Sequence, residues 1–99
     1  MARVIATRLW EGCRDLADDT AVAEHALRWL AGRWDGKRPL MKTRFCLSAT
    51  SLVASRWWKH SRDVYALTRA DKAVRRAWDR LVAAGVIVWV KREPLRFNL

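Results

Sequence analysis

The apolar period of residues 68–99 changes once, and the change falls at a glycine. From Thr68 to Ala84, the residues Ala70, Val74, Ala77, Trp78 and Leu81 recur at intervals that define one helix face. Thr68-Arg69-Ala70-Asp71 has the form of a capping box, with Asp in place of Glu, and predicts the helix start. Gly85 is a natural stop. Beyond it, Val86-Ile87-Val88-Trp89-Val90 reads as an apolar, β-branched strand and Lys91-Arg92-Glu93-Pro94 as a polar turn. Leu95-Arg96-Phe97-Asn98-Leu99 alternates and reads as the returning strand, apolar on Leu95, Phe97 and Leu99.

The preceding residues add helices. Ile5, Leu9, Cys13 and Leu16 fall at helical spacing within residues 3–17, although Gly12 weakens that helix. Asp18-Asp19-Thr20 provides a cap and favourable charge for a second helix over residues 20–33. Val22, Ala26, Trp29 and Leu30 form its inner stripe; Ala23, Leu27 and Trp34 widen it enough to suggest a subunit contact. Gly36-Lys37-Arg38-Pro39 punctuates the chain. Residues 41–47 alternate, with Met41, Phe45 and Leu47 opposite Lys42 and Arg44, which predicts a short half-exposed strand. Ser48, Thr50 and Ser51 offer caps for a third helix reaching about Lys59, and residues 60–67 fit either a loop or a further turn capped by Ser61. The expected class is mainly α with a small antiparallel β-hairpin, an α+β domain of 99 residues.

Charge is divided unequally. Residues 1–36 carry 5 Lys/Arg and 6 Asp/Glu, a net −1, whereas residues 37–99 carry 15 and 4, a net +11. A positive field concentrated on one part of a small protein attracts a polyanion. On the helix from Thr68, Arg69, Lys72, Arg76 and Arg80 follow steps of three and four, so they form one basic stripe opposite Val74 and Leu81. Arg75 has Asp71 and Asp79 as i,i+4 partners and is left out of that stripe.

Other chemistry is not suggested. Cys13 and Cys46 lie in apolar-patterned segments and read as buried thiols of a reducing cytoplasm. Neither they nor His25 and His60 have partners at metal-ligand spacing, so no metal or other cofactor is expected. No Gly-rich phosphate loop and no nucleophile with a spaced base is visible, which argues against an enzyme. No apolar run approaches the roughly 18 residues of a membrane span, and the N-terminus does not read as a secretion signal.

The segment TRADKAVRRAWDRLVAAGVIVWV, with the basic turn and strand that follow, resembles the winged helix-turn-helix family of DNA-binding domains. The resemblance covers roughly residues 40–99, and the helix before residue 18 is an addition to the minimal module. Two features depart from the family: the junction over residues 60–67 is long for the usual tight turn, and the wing looks short. The resemblance implies a recognition helix carrying Arg69, Lys72, Arg76 and Arg80, the first three toward base edges and Arg80 toward phosphate. It also implies a wing whose Lys91, Arg92 and Arg96 reach a minor groove or the backbone. Lys42, Arg44, Arg56 and Lys59 are candidate backbone contacts, and Thr50 and Ser51, near the expected helix start, are candidates to hold a phosphate on free N–H groups.

The expected partner is therefore double-stranded DNA. The expected role is that of a small cytoplasmic, homodimeric regulator repressing by occupancy, or a binder of a replication or partition site. No membrane partner and no small-molecule ligand is expected. Two alternatives stand beside it. A winged-helix protein-interaction module would use some of the 7 Trp as a contact patch, and an RNA or single-strand binder would stack bases on Trp57 and Trp58.

Overall fold

The computed structural model describes residues 8–13, 15, 16, 18–60 and 63–98; Ile5, Ser61 and Leu99, each assigned above to an element, lie outside them. The described chain is mainly helical with one small antiparallel sheet. Helical residues 8–11 precede α1 (Asp19–Gly32), α2 (Lys42–Ala54) and α3 (Val64–Ala83), and the hairpin strands β1 (Ile87–Val88) and β2 (Arg96–Phe97) follow.

Each boundary has a local cause. The first helical stretch ends before Gly12 instead of running to residue 17, yet Leu9 and Cys13 are buried as its spacing predicts. Asp18 caps α1, its Oδ1 accepting from the Thr20 N–H at 3.2 Å. The strand expected over 41–47 is instead the start of α2. The alternation there spans only seven residues, whereas Phe45, Ala49 and Val53 are buried at a helical step of four that continues through the segment. Met41 and Leu47, which gave the impression of an apolar strand face, are exposed.

The long helix starts earlier than the capping-box pattern predicts. Asp63 is its cap, with Oδ1 accepting from the Tyr65 N–H at 2.9 Å. Thr68 lies within the helix and donates its hydroxyl to the Val64 carbonyl at 3.1 Å. Asp71 pairs with Arg75 at 3.0 Å. At the other end, the Gly85 N–H bonds the Val82 carbonyl at 3.0 Å and the Val86 N–H bonds the Leu81 carbonyl at 2.9 Å. This is a Schellman stop, and it requires the positive φ of 74° that Gly85 adopts.

Small residues let the helices approach closely. Ala23 and Ala26 of α1, Ala49 of α2, and Ala70 and Ala77 of α3 are all fully buried. Leu27, Val53, Val74 and Leu81 fill the spaces between them, each contributing roughly 1.5–3 kcal/mol by leaving water. On the wide apolar face of α1, Val22, Ala23, Ala26 and Leu27 are buried within the chain, Trp29 and Leu30 are half-buried, and Trp34, just past the helix, is exposed.

The hairpin pairs Ile87 with Phe97 and Val88 with Arg96, so both strands are shorter than their patterns predict. Pro94 has no N–H to extend the ladder, and the Leu95 N–H turns instead to the Leu40 carbonyl at 2.6 Å. Asn98 closes the base, its side-chain amide donating to the Gly85 carbonyl at 2.7 Å. Edge-on contacts of Phe97 with Phe45 (5.3 Å) and of Trp89 with Trp78 (6.2 Å) seat the hairpin on α2 and α3.

Candidate nucleic-acid interface

The 20-residue α3 has two contrasting sides. Ala66, Ala70, Ala73, Val74, Ala77, Trp78 and Leu81 are buried, whereas Tyr65, Thr68, Lys72, Arg76 and Asp79 are exposed on the opposite side. A helix of this length is about 30 Å long, enough for one face to follow a groove while the other stays in the core.

The basic stripe is not uniform, because Asp18 and Asp19 reach across to it from the start of α1. Arg69 donates from Nε to Asp19 Oδ2 at 2.9 Å and from Nη2 to Oδ1 at 2.8 Å, a bidentate pair. Its guanidinium also lies over the Trp57 ring, 4.2 Å from the centroid. The bond from Arg69 holds the Asp19 carboxyl below its ordinary pKa, and the same bond raises that of Arg69. Arg80 faces Asp18 at the longer distance of 3.8 Å. Lys72 and Arg76 have no ion pair among the described residues. Arg75 pairs with Asp71, the partner its i,i+4 spacing indicates.

In the hairpin, Lys91, Arg92 and Arg96 are all exposed. The Glu93 N–H bonds the Val90 carbonyl at 2.9 Å, closing a turn in which Arg92 takes φ 72°. That left-handed conformation is uncommon for a residue with a Cβ. It holds a guanidinium at the tip of the hairpin where glycine would relieve the backbone.

The remaining candidates are dispersed. Lys42 is half-buried, its Nζ over the rings of Trp89 (4.4 Å) and Trp78 (5.2 Å). Arg44 is exposed in the first turn of α2, whose start has no side-chain cap. Thr50 and Ser51 lie well inside α2, not at its start, so their N–H groups belong to the helical ladder and the expected phosphate cap does not form there. Arg56 points inward, Nη2 donating to the Leu16 carbonyl at 3.4 Å and the guanidinium lying 5.6 Å from the Trp10 ring. Lys59 is exposed beyond α2.

A groove of about 640 Å³ lies between α2 and α3, with Lys42, Thr50, Asp71, Arg75 and Trp89 in its lining. Its charges have both signs, so it adds no uniform field to the helix face. Cys46 also lines it, and burial raises the thiol pKa, the opposite of what a nucleophilic cysteine needs.

Val64 and Tyr65 were missing from the candidate set. They are 75% and 76% exposed in the first turn of α3. Asp63 as a cap, with Ala66 four residues before Ala70, is the signal that extends the helix to include them. Among the described residues there is no group of acids, histidines or cysteines able to hold a metal, and no helix long and apolar enough to cross a membrane.

Comparison of the chain with protein-family models, curated proteins and solved structures finds no match.

Proposed function

We propose that this chain binds double-stranded DNA as a winged helix-turn-helix protein. In this reading α2 and α3 form the helix-turn-helix and residues 86–98 the wing. The observation that carries the reading is the outer side of α3, where Lys72 and Arg76, with no ion pair among the described residues, stand beside exposed Tyr65 and Thr68 while the reverse side is sealed in the core. A helix anchored in this way can enter a major groove with its cations toward the duplex. The bond from Leu95 to Leu40 supports the same architecture, since it sets the segment before α2 beside the hairpin. The exposed Lys91, Arg92 and Arg96 suit contact with an adjacent backbone or minor groove.

The protein would act by occupying its site, as a cytoplasmic regulator of transcription or a binder of a replication or partition site. Two copies binding a palindrome would pair through the N-terminal helices, where Trp29 and Leu30 stay half-buried and Trp34, just past α1, is exposed. The exposed Leu47, Val64 and Tyr65 favour a protein-binding module as the second reading. Single-strand stacking is less well served, because the Arg69 guanidinium covers one face of Trp57.

Fluorescence anisotropy with labelled random duplex and single strand, across a series of salt concentrations, tests the proposal. Duplex binding whose log affinity falls linearly with log salt is expected. Absence of duplex binding at low salt, or binding indifferent to salt, overturns it.

A further inference from the structure

Arg69 is held in a way that a phosphate contact does not require. Its Nε and Nη2 donors are fixed on the two oxygens of Asp19, and its flat face rests on Trp57. Three segments therefore set one guanidinium: the first residue of α1, the turn after α2, and the second turn of α3. The side edge of the group is occupied. Its terminal edge, formed by Nη1 and the outer hydrogen of Nη2, has no partner among the described residues, and the side chain is 41% exposed.

We infer that Arg69 reads a guanine through that terminal edge, with Asp19 as its positioning residue. The inference rests on the proposal that α3 enters a major groove. The charge of the pair decides between base and phosphate. The Asp19 carboxylate cancels the formal charge of Arg69, so the pair offers little long-range attraction to a phosphate, and the carboxylate itself repels one. The O6 and N7 acceptors of guanine are neutral and reward donors held in a fixed plane. Arg69 also lies in the N-terminal half of α3, the end that goes deepest in helix-turn-helix complexes. Lys72 and Arg76 have no ion pair among the described residues, so their charge stays available to a phosphate.

The test begins with a duplex selected from a random pool by the wild-type protein. Arg69→Ala and Asp19→Asn are then assayed on that duplex and on every single-base-pair substitution of it, after circular dichroism has shown both variants folded. Wild type is expected to prefer G·C at one position. Arg69→Ala should lose that preference by roughly 5-fold or more, with the salt dependence kept. Asp19→Asn should weaken the same preference while raising affinity for random duplex, because it removes a negative charge. A uniform loss across all sequences with a shallower salt dependence would make Arg69 a phosphate contact and overturn the inference while leaving duplex binding intact. Base preferences unchanged in Arg69→Ala would make the pair purely structural and overturn it as well. If Arg69→Ala does not fold, Arg69→Lys, which keeps the charge but not the planar fork, carries the same test. A wild-type protein that binds no duplex fails the underlying function, and the inference with it.

Discussion

Replacing Lys72 and Arg76 together with alanine should change the salt dependence of duplex binding by a calculable amount. Both side chains are exposed on α3 and neither has an ion-pair partner among the described residues. If each meets a phosphate, each accounts for about 0.9 of the slope of log affinity against log salt. Their joint loss should make the slope shallower by about 1.8. Between 50 and 200 mM salt, wild type should then lose about 12-fold more affinity than the variant does. Anisotropy with a random-sequence duplex measures this directly, since random sequence removes any base-specific term. Arg28, exposed on α1, serves as the control, and Arg28→Ala should leave the slope where it was. Equal slopes for wild type and the Lys72/Arg76 double variant would refute the assignment of this helix side to the duplex.

Other expectations concern the frame and the hairpin. Gly85→Ala has open space around the new Cβ but must hold φ 74°, so backbone strain of about 1–2 kcal/mol, less an unfolded-state gain of about 0.4–1, should lower stability in urea unfolding. A stabilising result would contradict the Schellman stop. Arg92→Gly should relieve the strain at φ 72° and leave thermal stability equal or higher, yet weaken duplex binding; a clear fall in Tm would contradict the strained turn. The Asp19 carboxyl is held below its ordinary pKa of 3.8 chiefly by the bond from Arg69. The stabilisation it supplies is therefore present above about pH 4 and is lost as the pH falls through the lowered value. Both partners are more than a third exposed, so its size should stay below about 1 kcal/mol. Wild type and Asp19→Asn should differ in urea unfolding at neutral pH and converge in strong acid; a difference that persists there would contradict the pairing.

What the sequence disclosed followed the range of the interactions involved. Gly85 and the β-branched run after it were readable because a Schellman stop and a hairpin are local devices. The inner stripe of α1 was likewise readable from Val22, Ala26 and their neighbours. The start of α2 was not, because the accidental alternation from Met41 to Leu47 masks the helical step linking Phe45, Ala49 and Val53. The start of α3 was misjudged because Thr68-Arg69-Ala70-Asp71 and Asp63 are both plausible caps, and only the burial of Ala66 favours Asp63. The division of the basic stripe depends on tertiary structure. Nothing in the spacing of residues 18–19 and 69–80 announces that Asp19 will meet Arg69 or that Asp18 will face Arg80.

Mapping backbone amide shifts of the labelled protein during titration with a short duplex tests the central claim most directly. The perturbations should concentrate on Tyr65, Thr68, Lys72 and Arg76 of α3 and on Lys91 and Arg92 of the hairpin, while Arg28 and the rest of the outer side of α1 stay unmoved. Shifts centred on α1, with α3 silent, would contradict the claim.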